Sequence, residues 1–249
     1  KKYGILTARI LILIVLLALW EIGANAGFID SFITSQPSRI VKTFLNLSSN
    51  GLLMHLGVTC FETMVGFLLG VGLGMVCATL LWSDTLSKIS EPYLVILNSL
   101  PKIALGPVII IWVGAGMQAI IVMALAISLI VTILELLNGY LQTDREMVKM
   151  AKTFGASKSQ IFSKIVFPAN LPTLFNSLKI NIGLSLVGVI AGEFLVSKAG
   201  LGYLIVYGGQ VFQLDLVMAS VIILAVLAAL LYEGVLILEK IVCHKRFHS

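Results

Sequence analysis

Ionisable side chains interrupt the long apolar runs of this 249-residue chain, and their types and spacing limit the chemistry open to it. Glu62, Glu135, Lys179, Glu193 and Glu233 fall inside or beside such runs, where a charge is expensive and by default marks a functional group. Glu135 and Glu233 lie near enough to helix ends to reach an interface. Glu193 precedes the glycine-rich outer stretch Gly200-Leu201-Gly202-Tyr203, so it is placed to hold a gate there or to pair with Lys179. Along one helix Lys179 would stand about 21 Å from Glu193, so that pairing needs another helix or subunit. No HExxH metal pair, GxSG nucleophile turn or GxxxxGK[ST] phosphate loop occurs. His55, His244 and His248 lie in or beside polar segments, and Asp30, Asp84, Asp144 and Asp215 fall in loops. An intramembrane enzyme and an ATP hydrolase both lose their groundwork, and no catalytic residue is expected. Cys60, Cys77 and Cys243 make no CxxC pair and no metal spacing. Cys60 and Cys77 would sit about 25 Å apart on one helix, beyond disulfide reach.

The other loaded stretch is polar. Lys149, Lys152, Lys158 and Lys164 punctuate residues 149–172, while Met147, Val148, Ala151, Phe154, Ile161, Phe162 and Ile165 recur every three or four residues. That spacing predicts a pair of short amphipathic helices with a turn at Gly155-Ala156-Ser157. Gly155 permits the left-handed backbone that ends the first helix, and Ser157 caps the second. Pro168 and Pro172 are expected to stop helical continuation before the next apolar run. The product is a stiff knuckle with Met150, Ala151, Phe154, Gly155 and Ala156 near its tip. Periodicity and charge leave two readings open: an interfacial helix lying on anionic lipid, or a docking element for a soluble partner.

The elements that must position these residues are membrane spans. With 59% hydrophobic and 12% charged residues, and a mean hydropathy of +1.05, the chain is far from the soluble average of about 25% charged. Apolar runs over 10–26, 58–82, 92–113, 117–137, 173–196 and 216–238 predict about six transmembrane helices in one all-α membrane domain covering 1–249, with no internal repeat. The first run reads as a retained span rather than a cleaved leader. Pro37 opens an amphipathic interfacial helix over 37–45, capped by Ser35 or Gln36. Gly66, Gly70 and Gly74 recur at intervals of four, giving the second span a small face that a neighbour can approach closely. A short polar link, 83–91, leads to a third span that Pro101 and Pro107 interrupt, and broken backbone at membrane depth must be buried or line a wet cavity. Asn98, Ser99, Pro101, Gln118 and Glu193 are therefore the candidate translocation-path residues, with Lys102 expected to snorkel to the interface. With the N terminus inside, inner segments carry Lys1, Lys2, Arg9, Lys88, Arg145, Lys149, Lys152, Lys158, Lys164, Lys240, Lys245 and Arg246, whereas outer ones carry only Arg39, Lys42 and Lys198. That asymmetry puts both termini and the knuckle in the cytoplasm. The net charge of +5 fits an anionic bilayer surface and not nucleic acid, since no basic patch with interleaved aromatics lies outside the spans.

The knuckle resembles the cytoplasmic loop of bacterial ABC-importer permeases, whose pattern is EAA, three residues, Gly, nine residues, Ile, one residue, Leu-Pro. Lys149-Met150-Ala151, Gly155, Ile165, Phe167 and Pro168 fall at those spacings, with Lys149 in place of Glu, Met150 in place of Ala and Phe167 in place of Leu. The stretches Pro37-Ser38, Glu91-Pro92 through Leu100-Pro101-Lys102-Ile103-Ala104-Leu105-Gly106-Pro107 to Trp112-Val113-Gly114, and Gly192-Glu193-Phe194 with Ala199-Gly200-Leu201-Gly202-Tyr203, resemble the nitrate/sulfonate/taurine type in particular. The resemblance implies a type I importer fold in the bacterial cytoplasmic membrane. It also implies a homodimeric pair of permease copies, two cytoplasmic ATPase subunits that use ATP and Mg, and an extracytoplasmic binding protein. This chain would bind no cofactor or metal itself. In such machines the loop, here about 141–172, couples to the ATPase, which carries over to Lys149, Met150, Ala151, Lys152, Phe154, Gly155, Ala156, Ser157, Ile165 and Pro168. The implied cargo is a nitrate-, sulfonate- or taurine-like solute or a vitamin precursor. The rival reading is a secondary transporter driven by an ion gradient, which ATP dependence of uptake separates.

Overall fold

The computed structural model describes residues 2–49 and 51–247, with the side chains of 2–6, 9, 10, 33, 48, 49 and 244–247 outside that description. The charges of Lys1, Lys2, Arg9, Lys245 and Arg246 that orient the chain, together with His244 and His248, thus lie outside the described residues. Among the described residues every element is helical: α1 Lys2–Asn25, α2 Ser31–Thr34, α3 Pro37–Ser49, α4 Leu52–Leu81, α5 Asp84–Ser99, a 3₁₀ turn Lys102–Leu105, α6 Gly106–Val113 and α7 Met117–Gln142. There follow α8 Arg145–Thr153, α9 Lys158–Ile161, a π turn Phe162–Val166, α10 Phe167–Ala169, α11 Leu171–Val196, α12 Leu201–Gln210 and α13 Leu214–Phe247. The chain forms two compact units, Lys1–Val58 with Lys198–Val226, and Thr59–Ser197 with Leu227–Ser249.

Among the described residues four helices are long and apolar enough to cross a membrane: Leu52–Leu81, Met117–Gln142, Leu171–Val196 and Leu214–Cys243. The expected third span is a bent pair, α5 and the segment Lys102–Val113, meeting at 81°. The first apolar run lies in α1, a helix of 24 residues over Lys2–Asn25.

In the larger unit, α7 is the central helix, held between two faces of small residues. A Cβ on Gly66 would lie 2.5 Å from Ala124 Cβ, one on Gly74 would lie 2.7 Å from Thr132 Cβ, and one on Gly70 would overlap Ser128 Oγ. The glycine stripe of α4 therefore packs on α7, as its spacing predicts. From the other side a Cβ on Gly188 would come within 2.7 Å of Ala124 Cα, and one on Gly192 within 3.0 Å of Ile120 Cα. Lipid tails are as apolar as the helices, so such close approach supplies the dispersion contacts that hold spans together. Phe67 and Val71 of α4, Ile182 of α11 and Val235 of α13 form a further buried cluster in this unit.

Several sequence expectations are corrected. Residues 84–91 are not a link but the start of α5, where the Ser83 side chain accepts from the Leu86 N–H at 3.1 Å. Pro92 lies inside that helix. Pro107 does not break a span; it stands in the first turn of α6, where its missing N–H is not needed. The break is at Leu100 and Pro101, whose ψ values of 137° and 85° both lie outside the helical region. Pro168 likewise fails to stop the helix begun at Lys158. The backbone stays right-handed through Ile161, Phe162, Val166 and Phe167, and the π turn ahead of Pro168 accommodates a residue that cannot donate to the ladder. Helical structure stops at Asn170, and Pro172 sits in the first turn of α11.

In the smaller unit Gln36 stands at the N-cap of α3, its C=O accepting from the Ile40 N–H at 3.0 Å. Ser35 Oγ donates to Asp215 Oδ1 at 2.6 Å, and Gln36 Nε2 donates to Ser38 Oγ at 2.9 Å. The Glu21 carboxylate instead takes the Ser38 N–H at 3.0 Å and its hydroxyl at 2.8 Å, a negative charge at the positive end of a helix. The stretch Gly200-Leu201-Gly202-Tyr203 is no loop: Gly200, at φ +113°, is the N-cap of α12. The Gly200 N–H donates to His55 Nδ1 at 3.0 Å, and the His55 and Tyr203 rings stack at 6.0 Å.

Candidate functional site

The knuckle is built as its turn chemistry dictates. Asp144 caps α8 by accepting from the Glu146 N–H at 2.8 Å. At the other end Gly155 adopts φ +78°. Its N–H donates to Lys152 O at 2.9 Å, and the Ala156 N–H donates to Ala151 O at 3.0 Å. These paired bonds are a Schellman closure, which needs a residue free to be left-handed at the position after the cap. Ser157 then opens the second helix with a capping box: the Gln160 N–H reaches Ser157 Oγ at 3.3 Å and Gln160 Oε1 takes the Ser157 N–H at 2.8 Å.

The base is buried. Ile161 and Val166 are 2% and 0% exposed, and they join Ala78 of α4, Leu94 of α5, and Ile133, Leu136, Leu137 and Tyr140 of α7. Val148, Ala151, Ala156 and Phe162 pack against the same cluster. Asn170, which sequence reasoning missed, ties the two ends together: its side-chain N–H groups donate to Thr143 Oγ1 at 2.8 Å and to Val166 O at 2.9 Å. A Cβ on Gly139 would come within 2.6 Å of Asn170 Oδ1, so a glycine there lets the amide in.

At about 100° per residue, α8 shows two chemically different sides. Arg145, Lys149 and Lys152 share one; Met147, Met150 and Phe154 lie roughly opposite. Met147, Met150 and Phe154 are 50%, 55% and 83% exposed. Lys149 is engaged by Glu146 at 2.9 Å. Lys152 and Lys158 line a cavity of about 360 Å³ with Arg145, Lys149, Trp82 and Tyr140. Ile165 is partly buried and Pro168 stands in the first turn of α10.

The candidate path residues divide. Asn98, Ser99 and Pro101 come together at the bend and are exposed, as is Gln118 at the start of α7. Ser99 Oγ donates to Val95 O at 2.8 Å, and Lys102 Nζ folds back on Asn98 O at 2.9 Å. Glu193 does not join them: it is 1% exposed. Thr59 Oγ1 donates to Glu193 Oε1 at 2.6 Å, and Glu62, on the same helix as Thr59, is buried as well. Lys179 pairs instead with Glu239 of α13 at 3.2 Å. Thr59 gave no sequence signal, because an isolated threonine in an apolar run reads as packing.

Residues 70–245 match the family described as binding-protein-dependent transport system inner membrane component. A probable ABC transporter permease protein of Haemophilus influenzae is 33% identical over 91% of this chain and 92% of its own length. A putative aliphatic sulfonates transport permease protein of Bacillus subtilis is 28% identical over 96% of this chain and 87% of its own. In fold, the chain is similar to a subunit of a bacterial ABC transporter involved in the import of the acidic polysaccharide alginate, at a TM-score of 0.66 and 15% identity over 96% of both chains. It is also similar to a chain of the inward-facing MetNI methionine ABC transporter, at a TM-score of 0.63 and 21% identity over 79% of this chain and 96% of that one. The chain thus belongs to the binding-protein-dependent transport system inner membrane component family, and is an ABC-importer permease, the membrane subunit of a transporter whose ATPase is a separate polypeptide.

Proposed function

We propose that the knuckle is the joint through which a pair of cytoplasmic ATPase subunits drives this permease, and that two copies of the chain enclose the solute path. The observation that carries this reading is an exposed apolar tip on a braced helix. Met150 and Phe154 are 55% and 83% exposed, on a segment closed at both ends by capping bonds and seated at its base in the core cluster. Such a tip gains by burial against a partner, and a rigid helix transmits a displacement that a loose loop would absorb. ATP and Mg belong to the partner. The lysine distribution supports placing the knuckle and both termini in the cytoplasm.

Cargo reaches the path from an extracytoplasmic binding protein. Relatives are named for aliphatic sulfonates, formylaminopyrimidine, riboflavin and taurine, and we infer a small solute of that range, its selectivity residing mainly in the binding protein. Asn98, Ser99, Pro101 and Gln118 line the path, and Glu193 holds α4 to α11 beside it.

The test is co-purification of the tagged permease with its ATPase in mild detergent, for the native chain, Met150→Ser/Phe154→Ser and Gly155→Pro. Recovery of the ATPase with the native chain and its loss from both variants is expected. Equal recovery with all three would remove the knuckle from the interface, and a permease that imports without ATP would overturn the reading.

A further inference from the structure

We propose that the cavity behind the knuckle and the apolar groove beside it together bind one anionic phospholipid, its phosphate between Arg145, Lys152 and Lys158 and an acyl chain along the last turns of α4. The proposal rests on the cytoplasmic placement of the knuckle given above.

The cavity lies where two spans end. Trp82, Ser83 and Asp84 follow the last residue of α4, and Tyr140, Leu141 and Thr143 are at the end of α7. That is interfacial depth, and Trp and Tyr are the aromatic residues that favour it. Arg145, Lys149, Lys152 and Lys158 project into this space, and Asp84 is its lone lining acid among the described residues. Glu146 neutralises Lys149 at 2.9 Å, but no ion pair among the described residues engages Arg145, Lys152 or Lys158. Three cations outside any ion pair, around a cavity with one lining acid, leave it net positive, and a phosphodiester relieves that while accepting two parallel bonds from the arginine.

The groove supplies what a soluble anion would not need. Met75, Val76, Thr79 and Leu80 of α4 face Phe162, Ser163 and Phe167 across a space of about 430 Å³. By the helical rise these α4 residues lie about 3 to 10 Å deeper than Trp82, which is hydrocarbon depth. The Thr79 hydroxyl donates to Met75 O at 2.8 Å within its own helix, so the threonine can turn its methyl outward. Phe162 of the groove packs against two aromatic rings that line the cavity, 5.3 Å from Trp82 and 5.2 Å from Tyr140. A basic pocket at the end of a span with an apolar groove below it has the amphipathic form of a lipid, headgroup over chain. The basic side of α8 lies roughly opposite Met150 and Phe154, so the lipid and the ATPase do not compete for one surface.

The test titrates the purified full-length permease in detergent, by native mass spectrometry, with phosphatidylglycerol, phosphatidylcholine of the same chains, and inorganic phosphate. Phosphatidylglycerol should be retained over phosphatidylcholine. Arg145→Gln/Lys152→Gln/Lys158→Gln should weaken it on the order of 100-fold, about fivefold per charge removed, while Lys152→Arg/Lys158→Arg should keep it. Val76→Trp, which fills the groove, should weaken the lipid but not inorganic phosphate. Phe154→Ser should lose the ATPase and keep the lipid, which separates failure of this site from failure of the docking reading. Equal retention of both lipids would overturn the proposal, as would an unaffected triple variant. So would phosphate competing as well as lipid with Val76→Trp inert, which marks a soluble-anion site, or a triple variant that loses ATPase recovery and keeps lipid, which marks a protein contact.

Discussion

Gly155 offers the sharpest test of the knuckle, because its contribution is conformational and not steric. It sits at φ +78°, and a Cβ built there meets nothing within 4 Å. Any effect of substitution must therefore come from the backbone. An alanine forced into the left-handed region costs roughly 1 to 2 kcal/mol, which shifts the closed-to-open balance of the turn by about 5- to 30-fold. Asparagine, which tolerates that region through its own local hydrogen bonds, should cost less. Valine should cost more than alanine, because its branched Cβ crowds the backbone further. Proline cannot reach φ +78° and also removes the N–H that donates to Lys152 O at 2.9 Å, so the closure should be lost outright. Hydrogen exchange reads this directly. Protection over 151–157 should fall in the order Gly, Asn, Ala, Val, Pro, and the ATPase recovered per permease should follow the same order. Protection in Gly155→Ala equal to the native chain would refute the strained-turn argument. Full ATPase recovery with Gly155→Pro would refute the claim that the turn positions the tip.

Three further perturbations test the supports of the knuckle and the spans. Asn170→Leu removes the bonds to Thr143 Oγ1 and Val166 O at a buried position; a loss of about 1–3 kcal/mol is expected, seen as faster proteolysis within 143–170. Gly70→Ala places a Cβ onto Ser128 Oγ, so the detergent-solubilised chain should melt several degrees lower. Adding Ser128→Ala should restore much of that, since the next nearest atom, Ser128 Cβ, lies at 3.1 Å; no recovery would mean that α4 and α7 do not meet there. Thr59→Val removes the 2.6 Å donor to the buried Glu193 and should cost about 1–3 kcal/mol. Glu193→Gln, whose side-chain carbonyl still accepts from Thr59, should cost less, and the opposite order in thermal unfolding would remove Thr59 from the pair.

What the sequence disclosed follows from the range of the interaction involved. The stripe Gly66, Gly70, Gly74 and the turn Gly155-Ala156-Ser157 were legible because spacing within one helix or one turn carries the whole signal, and both behave in the structure as that spacing predicts. Pro107 and Pro168 misled for the complementary reason. A proline is a breaker only in a helix interior, and whether it stands in a first turn, or behind a π turn that accommodates it, depends on boundaries that propensity does not locate. The start of α5 was hidden because its polar residues, read against the apolar runs around them, look like a loop, although Ser83 ahead of Leu86 was a readable cap. Asn170 with Thr143, Thr59 with Glu193, His55 with Gly200 and Ser35 with Asp215 were not legible at all. Each joins residues that only the packed helices bring together.

The placement of those long-range bonds constrains how a push at the knuckle travels. The ends of the loop are tied by Asn170 to Thr143 and Val166, and Thr143 follows directly on α7. The loop base is packed on Leu136, Leu137 and Tyr140 of that helix. A displacement at Met150 or Phe154 therefore reaches α7 directly, by chain continuity as well as by packing. Higher up, α7 has no freedom to slide alone, because the glycine faces of α4 and α11 grip it at Ala124 and Ser128. Compact cores shift between packed arrangements and do not deform continuously, so α4, α7 and α11 should move as one body while the bend at Leu100 and Pro101 absorbs the strain. Crosslinking tests this: a bridge fixing α4 to α7 should leave transport intact, whereas a bridge fixing α5 to α6 across the bend should stop it. Transport lost with the first bridge and kept with the second would place the moving joint inside the three-helix body.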